Sequence, residues 1–199
     1  MKSFYLLAAT ALFALCTFPA FAQTPASDAK QFAKDGLSFS YPNGWTLTDE
    51  SNDDAQNFNI GRADSEAQFR VFVFRTPVNT PERVAEARKV LVDPYVASTV
   101  KQLEQMGGKP QKTPATIEIA KNASEGVRLG ASLDGVPGAA EIYWGVVGNR
   151  LVVLTQFGSE RALKQVAPAW ELIRNSIAVA EEKPSAKPTP TPAPTPSPK

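Results

Sequence analysis

Glu118, Asp134, Glu141 and Glu160 are the carboxylates available for acid–base chemistry. Glycoside hydrolysis needs two such groups facing each other across a cleft, and no spacing in the chain pairs these four. Serines and lysines are present for a Ser–Lys nucleophile, but no Gly-x-Ser-x-Gly frames a serine. Gly126 to Gly130 lacks the spacing of a phosphate-binding loop. Histidine is absent from all 199 residues. That removes the commonest general base and the commonest transition-metal ligand, and argues against most hydrolases and against zinc or copper. Glu50, Asp53 and Asp54 raise the question of calcium. Their segment, Glu50 to Gln56, lacks the alternating ligands, central Gly and terminal Glu of an EF-hand loop, so it reads as a solvated surface loop. No cofactor is expected.

Export is written into the first residues. Lys2 precedes an apolar run from Phe4 to Phe18, and Ala20-Phe21-Ala22 is a small-x-small cleavage site. The run is roughly 15 residues, short for a spanning helix of about 20. Residues 1–22 therefore read as a signal peptide, and the expected location is periplasmic or secreted. Cys16 is the only cysteine and falls inside the signal. Leu15 stands before it, where a lipoprotein signal requires a small residue. The remainder has no disulfide, no thiol nucleophile and no thiolate metal site. Removing Lys2 from 21 basic residues leaves 20, against 20 acidic ones. A balanced charge gives no reason to expect nucleic acid, and Lys109 to Lys112 is too short for a basic patch. Membrane contact is expected only through the signal.

The elements that would position any site follow from periodicity. Residues 23–35 read as a mobile lead-in with a helical turn near Lys30 to Ala33. Leu37, Phe39 and Tyr41 alternate with Ser38 and Ser40, Pro42-Asn43-Gly44 turns the chain, and Trp45 and Leu47 alternate with Thr46 and Thr48. This predicts a β-hairpin with Tyr41 and Trp45 as core anchors, or alternatively as part of a binding surface. Gln68 to Arg75 is apolar on both faces, as in a central covered strand. Thr80-Pro81 is a helix start with Thr80 as N-cap. Asp93-Pro94 should break or kink that helix, a second stretch runs from Pro94 to about Met106, and Gly107-Gly108 stops it.

Lys109 to Pro114 reads as a linker. Strands follow at Thr116 to Ala120, Gly126 to Leu133, Ala139 to Val147 and Arg150 to Phe157, with Asp134 to Gly138 as a loop and Gly148-Asn149 as a hairpin turn. Ser159 caps a last amphipathic helix that Pro168 distorts. Trp144 on a strand and Trp170 on this helix are expected to face each other. Residues 181–199 have Pro at nearly every second position and no large apolar residue, so they read as an extended, disordered tail. Thr189, Thr191 and Thr195 are its candidate O-glycosylation positions.

The opening Gly-Leu-Ser-Phe-Ser-Tyr-Pro-Asn-Gly-Trp, the central strand followed by a helix, and the closing strand and helix from Leu151 to Ile177 together resemble the PsbP/Mog1-like family. The resemblance covers about Phe32 to Ala180 and places the folded domain at 36–180. It implies an α+β fold, a central antiparallel β-sheet flanked by helices on both faces. It also implies a non-catalytic binding or accessory module. The histidines of the family's metal sites have no counterpart here. The expectation is thus an exported accessory protein, not an enzyme, acting by protein–protein contact with a partner in the cell envelope. A small-ligand-binding module, marked by an apolar pocket between sheet and helix, and a minor carboxylate-dependent hydrolase are the alternatives. No residue is assigned to catalysis, metal or cofactor binding.

Overall fold

The computed structural model describes residues 29–180. The expected signal peptide over 1–22, with Cys16, and the expected Pro-rich tail over 181–199, with its threonines, lie outside the described residues. Among the described residues no helix is long and apolar enough to cross a membrane.

Seven antiparallel strands form the main sheet, in the order β3-β4-β5-β9-β8-β7-β6. They are β3 (Thr46–Asp49), β4 (Ala55–Gly61), β5 (Gln68–Pro77), β6 (Gln111–Ile119), β7 (Asn122–Leu133), β8 (Val136–Val147) and β9 (Arg150–Ser159). A smaller sheet joins β1 (Ala29–Lys34), β2 (Leu37–Pro42) and β10 (Ala178–Val179), with β2 in the middle. The helices are α1 (Pro81–Ala87), α2 (Asp93–Gln105), α3 (Glu160–Gln165) and α4 (Ala167–Ser176).

The two-residue period of β5 explains why both faces of the main sheet are covered. Phe69, Val71 and Val73 enter one core, with Trp170 and Ile173 of α4 and with Leu37 and Phe39 of the small sheet. Phe72 and Phe74 point the other way, towards Val92 and Val96 of the α1–α2 arm. The result is the α+β architecture with helices on both faces. As Trp144 and Trp170 fall into different cores, they do not meet. Trp170 packs on Phe69, with ring centroids 5.4 Å apart, while Trp144 lies under the Arg88 guanidinium on the opposite face.

Local structure departs from the sequence reading at six points. Leu37 to Thr48 is a corner and not a hairpin. The turn forms, with Trp45 N–H donating to the Pro42 carbonyl, but β2 pairs with β1 and β10 while β3 pairs with β4. β1 takes one edge of β2 along its whole length; on the other edge β10 pairs at Leu37 and Ser38, and the Ser40 N–H donates to the Ser176 hydroxyl of α4. Trp45 stacks on Phe69, at 4.9 Å and 8°, which draws the chain into the main sheet.

Residues 29–34 of the expected lead-in form β1, paired along the whole of β2 and held by Phe32 against Phe39 and Phe58. The acidic segment is a loop only as far as Asp54. Its Asn52 Oδ1 accepts from the Asp54 and Ala55 N–H groups, and Gln56 is fully buried in β4. The linker over 109–114 is strand from Gln111 onward. Pro114 is accommodated because β6 is an edge strand, where a missing donor costs no ladder bond. The loop over 134–138 shrinks to the two-residue turn Asp134-Gly135, both at positive φ.

Pro94 does not break the helix. The turn before it, Arg88–Val92, is wound as a π-helix, and Asp93 N–H donates to the Arg88 carbonyl. Widening that turn absorbs the proline within one continuous arm from Pro81 to Gln105. The caps stand as expected: Thr80 Oγ1 accepts from Arg83 N–H, and Ser159 Oγ accepts from Ala162 N–H. Pro168 separates α3 from α4 at Val166.

Candidate functional site

Two clusters of chemistry-bearing side chains emerge. The first is polar. Register places Arg128 of β7 opposite Glu141 of β8, and Glu141 opposite Gln156 of β9. Arg128 forms ion pairs with both Glu141 and Glu160, the latter in the first turn of α3. Glu141 Oε2 also accepts from Gln156 Nε2 at 2.7 Å and from the Tyr143 hydroxyl at 3.0 Å. Burial, then the adjacent Glu141 charge and the hydrogen bond to it, push the Tyr143 phenol above its ordinary value. Gly126 lies opposite Tyr143, and a Cβ there would come within 2.3 Å of the tyrosine ring. The glycine is the space the ring occupies.

Of the four carboxylates, the fold thus gathers Glu141 and Glu160. Glu118 stays on edge strand β6, where its carbonyl accepts from Arg174, and Asp134 stays in the β7–β8 turn. Among the described residues no three acidic, cysteine or histidine side chains cluster as a metal site. One guanidinium pairs with both carboxylates, and Glu141 spends its second oxygen on two further donors. The arrangement is a brace between β7, β8 and α3.

The second cluster is a half-closed cleft of about 610 Å³ on the other face of the main sheet, roofed by α2. Its existence follows from side-chain size. Next to Val127, Ile142, Leu151 and Val153, large residues fill the space under the helical arm. Towards the β7–β8 turn the floor is Ala131, Gly138 and Ala140, which leave the C-terminal half of α2 standing clear. Gly138 is held small by its neighbour strand, since a Cβ there would lie 2.8 Å from the Gly158 carbonyl oxygen.

The two ends of the cleft differ chemically. At one end Arg70 of β5 stands opposite Thr155 of β9, and Thr155 Oγ1 shares a 3.2 Å hydrogen bond with the Tyr95 hydroxyl of α2. At the other end lie Leu103, Leu133, Val136 and Met106. Val136 and Met106 are 53% and 62% exposed, unusual for residues of their size in this fold. Sequence reading did not single out Arg70. An arginine between Phe69 and Val71 in a strand covered on both sides is the signal that marks it. Tyr41 and Trp45 are where a core role puts them: Trp45 is buried, and Tyr41 is half-buried against Phe39.

No protein-family model matches the sequence, and no curated protein matches it. Among solved structures, the chain is similar to a Bacteroides thetaiotaomicron protein at 13% identity and a TM-score of 0.51, covering 78% of this chain and 50% of that one. It is also similar to cyanobacterial PsbP from Synechocystis, at 12% identity and a TM-score of 0.48, covering 79% of this chain and 96% of that one. A third, Pseudomonas aeruginosa PA94, has 13% identity and a TM-score of 0.35, with 82% and 99% covered. The chain spans half the length of the Bacteroides structure it matches. At 13% identity the likeness to the Bacteroides structure concerns the fold alone.

Proposed function

We propose that the chain is an exported, non-catalytic binding protein whose α2–sheet cleft takes a small, largely apolar ligand. The observation that carries this reading is the cleft itself. It is a concavity of about 610 Å³ with a mainly apolar lining and a few convergent polar groups, the usual make-up of a small-molecule site. Engagement of Glu141 and Glu160 by Arg128 favours binding over hydrolysis, because neither carboxylate is left to act as a general acid opposite the other.

The test is an NMR titration of the purified chain with 1-octanol. Shifts confined to the amides of Ser98, Gln102, Ala131 and Phe157 support the reading; shifts absent there, or spread evenly over the surface, overturn it.

Exposed Met106 and Val136 at the mouth of the cleft favour a second reading, an accessory protein that contacts a partner in the cell envelope through this edge. Met106→Asp then abolishes crosslinking to that partner in the native envelope. Crosslinking that survives the substitution moves recognition elsewhere.

A further inference from the structure

We infer that the cleft selects a monocarboxylate with an apolar body, its acid group held by Arg70 and its body running towards the β7–β8 turn. The inference rests on the reading of the cleft as a small-ligand site and adds the ligand's charge and direction.

Arg70 is the basis. It is half-buried on the cleft floor, near the start of a strand covered on both faces. Its Nε donates to Asn59 Oδ1 at 2.8 Å, which fixes the plane of the guanidinium. No carboxylate of the described residues forms an ion pair with it. That sets it apart from Arg75, Arg88 and Arg128, each of which has an acidic partner. A half-buried guanidinium without a counter-ion is costly, because burial weakens its hydration with no charge in return. A carboxylate supplies that charge in the planar, two-pronged geometry a guanidinium favours. Thr155 Oγ1 and the Tyr95 hydroxyl lie at the same end and offer one further donor between them.

Direction follows from register. Thr155 stands opposite Arg70, Phe157 opposite Ala140, and Gly138 opposite Ala131. The floor therefore runs from the cation across small residues to the apolar edge at Leu133 and Val136. An acid with its body along that path keeps its charge at the closed end and its tail at the exposed Met106.

The experiment compares octanoate with 1-octanol, the same chain length without the charge, by NMR titration of the purified chain. The wild type is expected to bind octanoate about tenfold more tightly, the order of one charge-assisted hydrogen-bonded pair. Arg70→Gln removes that preference and leaves 1-octanol binding unchanged, which also certifies that the variant is folded. Arg70→Lys retains part of the preference. Equal binding of both probes, or a preference that survives Arg70→Gln, overturns the selection for carboxylate while the cleft reading stands. Ala131→Leu fills the floor and is expected to abolish binding of both probes; failure of 1-octanol to bind the wild type, or undiminished binding to Ala131→Leu, overturns the cleft reading itself, whereas failure of octanoate alone overturns the selection for carboxylate.

Discussion

Tyr143 carries the polar brace in miniature. Its ring fits because Gly126 has no side chain, and its hydroxyl is committed to Glu141. Burial and the neighbouring carboxylate both oppose ionisation, so the phenol's folded value lies above the ordinary 10.0. The proton is bound more tightly in the folded chain. This contribution to stability is complete below pH 10.0 and fades as the pH rises through the folded value. In a titration followed by tyrosinate absorbance at 295 nm, Tyr143→Phe should lose signal only at the alkaline end, where unfolding sets in. Loss of signal near pH 10 contradicts the assignment. The brace was hidden in the sequence by one detail of turn reading. Arg128 and Glu141 lie six residues before and six after the Asp134-Gly135 pair, which makes them cross-strand partners only if the turn has two residues. With the turn drawn as a five-residue loop, the carboxylates stayed unpaired. The Gly148-Asn149 turn was read at its true length, and the strands on either side of it followed correctly.

At the scale of elements, the sequence spoke clearly where local chemistry decides. Both N-caps, the doubly buried strand β5 and the Gly107 stop formed as their residue types dictate. It misled where long-range pairing decides. The alternation in Leu37 to Thr48 correctly gives two strands, but which neighbour each one takes depends on β1, β10 and β4. Gln56 shows the same limit. It sits at the edge of an acidic stretch in sequence, yet in the fold it is fully buried, donating to the Lys34 carbonyl at 3.0 Å and accepting from Arg150 at 3.3 Å. It ties the turn between β1 and β2 to the main sheet. Gln56→Leu leaves a buried carbonyl and a guanidinium donor without this partner, and should lower stability by roughly 1–3 kcal/mol. The urea midpoint measures it, and an unchanged midpoint would show that water replaces the amide.

Taken whole, the molecule is a main sheet with a helical arm on one face and, on the other, a helix pair and a small sheet. Besides the shared core, an ion pair clasps the small sheet to the main one: Lys34 of β1 to Asp49 of β3 at 2.7 Å. The Lys34 hydrogen bond, then those from Ser51, hold the Asp49 carboxyl down at about 2, below its ordinary 3.8. A depressed acid stabilises the fold above its unfolded value, and this contribution disappears as the pH falls from 3.8 towards 2. The pair is solvent-exposed, so screening keeps the effect small. Asp49→Asn should flatten the dependence of the melting temperature on pH within that window and nowhere else. An identical acid limb in both proteins argues against the clasp.

The small-residue floor of the cleft has a thermodynamic side. Where Ala131, Gly138 and Ala140 decline to fill the space beneath α2, the fold forgoes packing that the neighbouring rows obtain, and the vacancy is a standing debit against stability. A bound molecule makes good part of that debit by mass action. A bulkier side chain does so permanently. Ala131→Leu should therefore melt a few degrees higher than the wild type, since about 1 kcal/mol shifts a domain of this size by roughly 2–4 °C. The same variant should show no further rise with octanoate. Robustness and occupancy compete for one volume, and this chain has kept the volume open.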